Sequence, residues 1–134
     1  MNKGLEVFAW CLMSNHIHLV CRAKENYRIS EIIRDFKKYT AKTILKMIEN
    51  EPESRKEWML YRFRVAGKFD NRITKYKFWQ ETNHAVMLDN TGLIELRINY
   101  THENPVRAMI VFNAEDYLYS SARDYAGEKG FVYV

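Results

Sequence analysis

His16-Ile17-His18 is the part of this chain best equipped for chemistry. It lies in a run, residues 8–20, where apolar residues are broken by Met13-Ser14-Asn15 and resume at once. Short runs rich in Val, Ile, Phe and Trp around a turn signal predict a β-hairpin. Residues i and i+2 of a strand share a face, so His16 and His18 stand side by side and can grip one metal ion. Ile17 and Leu19, on the other face, are expected to hold the strand to a core. Strand parity puts Cys21 with them, away from the imidazoles, which argues against a structural zinc site with converging Cys and His ligands. A plain pair of half-buried or surface histidines fits the same spacing.

The elements that must position such a site belong to one domain, residues 1–134, long enough for a modest core. No apolar run is long enough to span a bilayer, and the N-terminus lacks a signal-peptide layout, so a cytoplasmic protein without membrane contact is expected. The two cysteines, Cys11 and Cys21, are expected as free thiols in apolar strand context. The net charge is +4. Cations cluster after the hairpin, among them Arg34, Lys37, Lys38 and Lys42, and again at Arg72, Lys75 and Lys77, interleaved with Tyr39, Trp58, Tyr61, Tyr76 and Trp79. Cations for phosphates and rings for bases suit single-stranded nucleic acid. A solvated helix face over core aromatics fits equally.

In chain order, Ser30 is expected to cap a helix to about Glu49, and Ser54 to Glu57 to form a capping box opening a second helix that stops at Gly67. Residues 76–80 read as a strand that resumes at 85–88. A third helix is expected from about Gly92, capped within residues 89–91, with Leu93, Leu96 and Tyr100 on one face. Asn104, preceding Pro105, should end or kink it, and Pro105 should open a short helix to about Phe112. Residues 131–134 could form a terminal strand.

His16-Ile17-His18 preceded by Trp10 and Ser14-Asn15, then Phe78-Trp79-Gln80, then Tyr100-Thr101-His102-Glu103-Asn104-Pro105-Val106, resemble in type and order the single-tyrosine HUH transposases of insertion sequences. The Tyr-x-x-x-Asn-Pro-Val segment resembles most the REP-associated tyrosine branch. The resemblance runs from about Leu5 to Val111. It implies an α+β, ferredoxin-like antiparallel sheet with the histidine strand at its middle and helices packed on it. The resemblance also implies a strand and helix before the hairpin that this sequence does not show, as expected of a truncation of a longer protein, of a decayed relic, or of a chain whose gap a second copy fills; a homodimer is the expected remedy.

The resemblance further implies that His16, His18 and Asn104 bind a divalent ion, magnesium or manganese, and that Tyr100 is the nucleophile. The substrate would be single-stranded DNA beside a hairpin, cut and transferred through a 5′-phosphotyrosine, in a nucleoid-associated protein. A phenol, with a reference pKa of about 10, is a weak nucleophile that a metal-polarised phosphate would help. Arg34, Lys37, Lys38, Lys42, Arg72, Lys75, Lys77 and His84 are the candidate DNA contacts. Taken alone, Tyr100 reads as a core tyrosine, and His102, two positions on, as a surface residue. Two other functions remain open: a non-catalytic single-strand-binding relic of the fold, and a His-x-His metallohydrolase that activates water.

Overall fold

The structure, a computed structural model, describes residues 4–73, 75–132 and 134. The fold is α+β. Strands β1 (Leu5–Leu12) and β2 (Ile17–Ala23) are followed by helices α1 (Ile29–Asn50), α2 (Lys56–Gly67) and α3 (Thr91–Arg107). A 3₁₀ turn (Ala114–Asp116) and the short α4 (Ala122–Tyr125) complete it. The chain divides into two compact units, one of residues 1–32 with 86–134 and the other of residues 33–85.

In the first unit, β1 and β2 form the expected antiparallel hairpin, its turn closed by the Met13 N–H donating to the His16 carbonyl at 2.9 Å. The register pairs Ala9 with Val20, Trp10 with Leu19 and Cys11 with His18. Paired residues share a face. Ala9, Cys11 and Val20, all buried, therefore lie on the histidine side, whereas Ile17 and Leu19 are only half-buried. The face expected to hold the core is thus revised: α3 packs against both strands and His18 meets Tyr100, while the opposite face is closed mainly at Trp10, whose Nε1 donates to the Val132 carbonyl at 3.3 Å. The outer edge of β1 is taken by residues 119–121, through the Leu12 N–H to the Tyr119 carbonyl (2.8 Å) and the Ser121 N–H to the Trp10 carbonyl (3.0 Å). Among the described residues β2 has β1 as its one strand partner, so it is not the middle of a wider sheet.

Helix α3 departs from expectation in a way that matters for the site. Asn90 is the cap, its Oδ1 accepting the Leu93 N–H at 2.9 Å. The helix does not end at Asn104 but runs through Pro105 to Arg107, and residues 108–112 carry no further helix. Proline lacks the N–H that would bond to the Thr101 carbonyl one turn back. The Asn104 side chain takes its place: Nδ2 donates to the Tyr100 carbonyl at 2.8 Å and reaches the Thr101 carbonyl at 3.5 Å. With Pro105 itself buried, packing and that amide hold a helix that local geometry would break.

In the second unit, α1 and α2 appear where expected, but the capping box does not form. The Glu53 carboxylate accepts the Arg55 N–H at 2.9 Å, and α2 begins at Lys56 with no side-chain cap. Residues 76–80 and 85–88 are not strands. Phe78 packs on Phe63 of α2 (centroids 5.2 Å apart), and Trp79 lies by Phe36 of α1 (6.0 Å) with Nε1 donating to Thr40 Oγ1 at 3.0 Å. The Lys77 N–H goes to the Phe63 carbonyl at 2.9 Å, tying this segment to the last turns of α2. Alternating aromatic and polar residues here are satisfied by two helices, not by a neighbouring strand. Residues 131, 132 and 134 are likewise not strand, and Tyr133 of that expected element lies outside the described residues.

Candidate active site

The hairpin brings the two imidazoles together. His16 Nε2 and His18 Nε2 face each other at 3.1 Å, with ring centroids 4.8 Å apart and planes nearly perpendicular. The Asn15 side-chain oxygen, which can only accept, lies 2.6 Å from His16 Nδ1. A proton on Nδ1 satisfies that oxygen and leaves Nε2 as the ring nitrogen that faces His18. Burial first, and the neighbouring His16 second, push the His18 pKa below its usual value, against the opposing pull of its hydrogen bond to Asn104. His18 thus keeps its lone pair near neutral pH.

Asn104 supplies the third polar group. Because its Nδ2 is engaged by the α3 carbonyls, its Oδ1 is the end left for His18. Two ligand nitrogens about 2.0–2.1 Å from one ion lie about 2.8–3.4 Å apart, depending on the angle between them. The observed 3.1 Å fits that range, and two imidazoles with one carboxamide oxygen are a donor set suited to a divalent ion. Cys11 pairs with His18 in the register, which the strand parity of Cys21 alone does not reveal. Burial raises the Cys11 pKa, so it remains a thiol and a poor ligand. Among the described residues no three His, Cys, Asp or Glu side chains converge as a ligand set.

Tyr100 is one helical turn before Asn104 and packs edge-on against His18, centroids 5.9 Å apart. It is half-buried. Two cations flank it that the sequence reading passed over: Arg97 Cζ lies 5.8 Å and Arg107 Cζ 4.9 Å from the ring centroid. His102, expected at the surface, is buried instead. Its Nε2 lies 2.9 Å from Ser121 Oγ and its ring packs 4.9 Å from Tyr125. It does point away from Tyr100, but that side of α3 is covered by β1 and the 120–125 segment.

The expected DNA contacts all lie in the second unit, and most already have protein partners. Arg34 pairs with Asp35 at 3.0 Å, Lys75 with Glu49 at 3.0 Å and Lys77 with Asp70 at 3.2 Å. Arg72 pairs with Asp70 and Glu81, and Lys37 donates to the Gln80 carbonyl at 2.7 Å. Arg72, through its hydrogen bonds, and then Lys77 hold the Asp70 pKa at about 2. Lys38 and Lys42 have no ion pair among the described residues. His84, at φ 47°, is exposed near Thr82.

No helix among the described residues is long and apolar enough to cross a membrane. No curated protein and no solved structure matches the chain. A family model described as "Transposase IS200 like" matches residues 1–66, a stretch that holds the hairpin with His16 and His18 but stops short of Tyr100 and Asn104. Over that stretch the chain is similar to the IS200-like transposases.

Proposed function

We propose that this protein is a metal-dependent single-stranded DNA endonuclease and strand transferase, with Tyr100 as nucleophile. His16, His18 and Asn104 hold a divalent ion, magnesium or manganese. When bound, the ion polarises the scissile phosphate as a Lewis acid. The Tyr100 oxygen attacks the phosphorus in line and the bond to the 3′ oxygen breaks. This leaves a 5′-phosphotyrosine and a free 3′-hydroxyl; the phenol proton passes to water and the leaving oxygen takes one from water. The tyrosyl phosphodiester keeps the bond energy, so another 3′-hydroxyl can displace Tyr100 and rejoin the strand without ATP. The observation that carries this reading is the contact between Tyr100 and His18, which sets the phenol beside the donor cluster although 82 positions of sequence separate the two residues.

The same reading includes Arg34, Lys37, Lys38, Lys42, Arg72, Lys75, Lys77 and His84 as strand contacts. Their mutual pairing favours Lys38 and Lys42 as the stronger ones. It also includes a hairpin-bearing substrate as in the REP-associated branch, a nucleoid location and a homodimer, for which the motive is that β2 has one partner strand among the described residues. Sedimentation as a monodisperse monomer would remove the dimer.

The test is incubation with labelled hairpin-bearing single-stranded DNA and manganese. The wild type should give a covalent protein–DNA adduct that survives denaturing electrophoresis, and Tyr100→Phe none. Cleavage that persists in Tyr100→Phe without adduct would assign the reaction to water at the histidine pair. Binding without cleavage by either protein would leave a non-catalytic DNA-binding protein.

A further inference from the structure

We infer that Arg97 and Arg107 form a phosphate clamp around Tyr100, holding the strand on both sides of the attacked position. The inference rests on the single-stranded DNA reading above. At about 100° per residue, positions 97, 100, 104 and 107 of a continuous α3 fall within about 80° of arc, and they span about 15 Å along the axis. Arg97 approaches the Tyr100 ring from the N-terminal side of the helix and Arg107 from the C-terminal side, at 5.8 and 4.9 Å. Asn104 lies between Tyr100 and Arg107 on the same stripe, with its oxygen towards His18.

Neither guanidinium has a carboxylate partner among the described residues, unlike Arg72 and Arg34 in the second unit. An arginine resting on an aromatic face keeps its planar fork of donors for an oxyanion. The ring therefore gathers two unneutralised cations around itself, which suits a polyanionic strand that must lie across Tyr100. This continuity depends on α3 running through Pro105, because a break there would turn Arg107 off the stripe.

The experiment uses the full chain with Tyr100→Phe as the background, which keeps the ring and cannot form an adduct. Affinity for a fluorescent single-stranded oligonucleotide is measured across a salt series for that background and for added Arg97→Gln, Arg107→Gln and both. Each lost phosphate contact should flatten the slope of log affinity against log salt by about 0.7, so about 1.4 for the pair. Unchanged slopes in variants whose circular dichroism and melting match the background overturn the clamp. Should the double variant unfold, each single variant must still show its own change of about 0.7, the size of one single-strand contact. In the Tyr100 background, the same substitutions should slow adduct formation on the order of tenfold or more. A flattened slope with no adduct from the wild type would keep the clamp and reject the nuclease.

Discussion

Helix α3 has two faces of opposite character. One carries Arg97, Tyr100, Asn104 and Arg107, half-buried or exposed, with ring and amide turned to His18. The other carries Thr101, His102 and Pro105, all buried. There His102 meets Ser121, whose Oγ also accepts the Trp10 N–H at 2.9 Å and whose N–H returns to the Trp10 carbonyl. The first face keeps polar groups available; the second satisfies every one it can and joins α3 to β1. A reactive constellation and the lock that holds it are thus written on one helix, in alternating residues.

The largest expected effect separates the faces by activity. His18→Ala should reduce the adduct rate by about 100-fold or more while changing stability by no more than about 1 kcal/mol, since the ring is only half-buried. Chelation of the metal before DNA is added should have the same effect in the wild type. Stopped-point assays of adduct yield alongside urea unfolding read both quantities. Equal loss of activity and stability would mean that His18 is a packing residue.

His102→Ala should show the reverse pattern. It deletes a buried ring along with that ring's contact to the Ser121 hydroxyl, which together cost about 2–4 kcal/mol. The readout is the urea midpoint. At a temperature where the variant stays folded, its adduct rate should lie within about tenfold of wild type.

Part of this division was legible in the residues. The turn at 13–15 and the His-x-His spacing fix the hairpin and the shared face, because strand parity leaves no choice. The Tyr-x-x-x-Asn spacing places two groups one turn apart on any helix. Three things escaped. A proline normally ends a helix, and that rule hid Arg107 from the stripe it completes; the compensation by Asn104 Nδ2 and the burial of Pro105 are tertiary facts. The direction of His102 follows from helical spacing, but whether that direction is water or core depends on residues 120–125, far along the chain. Residues 76–80 alternate as a strand does, and nothing local says that α1 and α2 will receive Phe78 and Trp79 instead.

Acid should act on both faces through the two histidines whose pKa values are lowered. Burial first lowers the His102 pKa, against opposing influences from Asp124 and Glu103, and burial with the neighbouring His16 lowers that of His18. In each case the unfolded chain binds the proton more readily. Stability is therefore complete above the ordinary histidine value of about 6.5 and is lost as pH falls through the lower folded values. For each group the slope cannot exceed about 1.4 kcal/mol per pH unit. Melting temperatures from pH 7.5 down to 5 should fall, and His102→Gln, less stable at neutral pH, should show a flatter profile. An unaltered profile would place the acid response elsewhere.

The smallest effect comes from a change that precedes both faces. Asn90 caps α3 by accepting the Leu93 N–H. Asn90→Ala should cost about 1 kcal/mol, the usual value of a lost cap. Tyr100 lies ten residues further on, about 15 Å along the axis. Fraying of a first turn does not reach so far, because Thr101, His102 and Pro105 pin the helix from its middle onward. The adduct rate at saturating DNA should accordingly stay within about twofold of wild type, a difference below about 0.5 kcal/mol. A larger drop would mean that the position of Tyr100 is set from the start of the helix and not by its buried face, and the separation of lock from constellation would then fail.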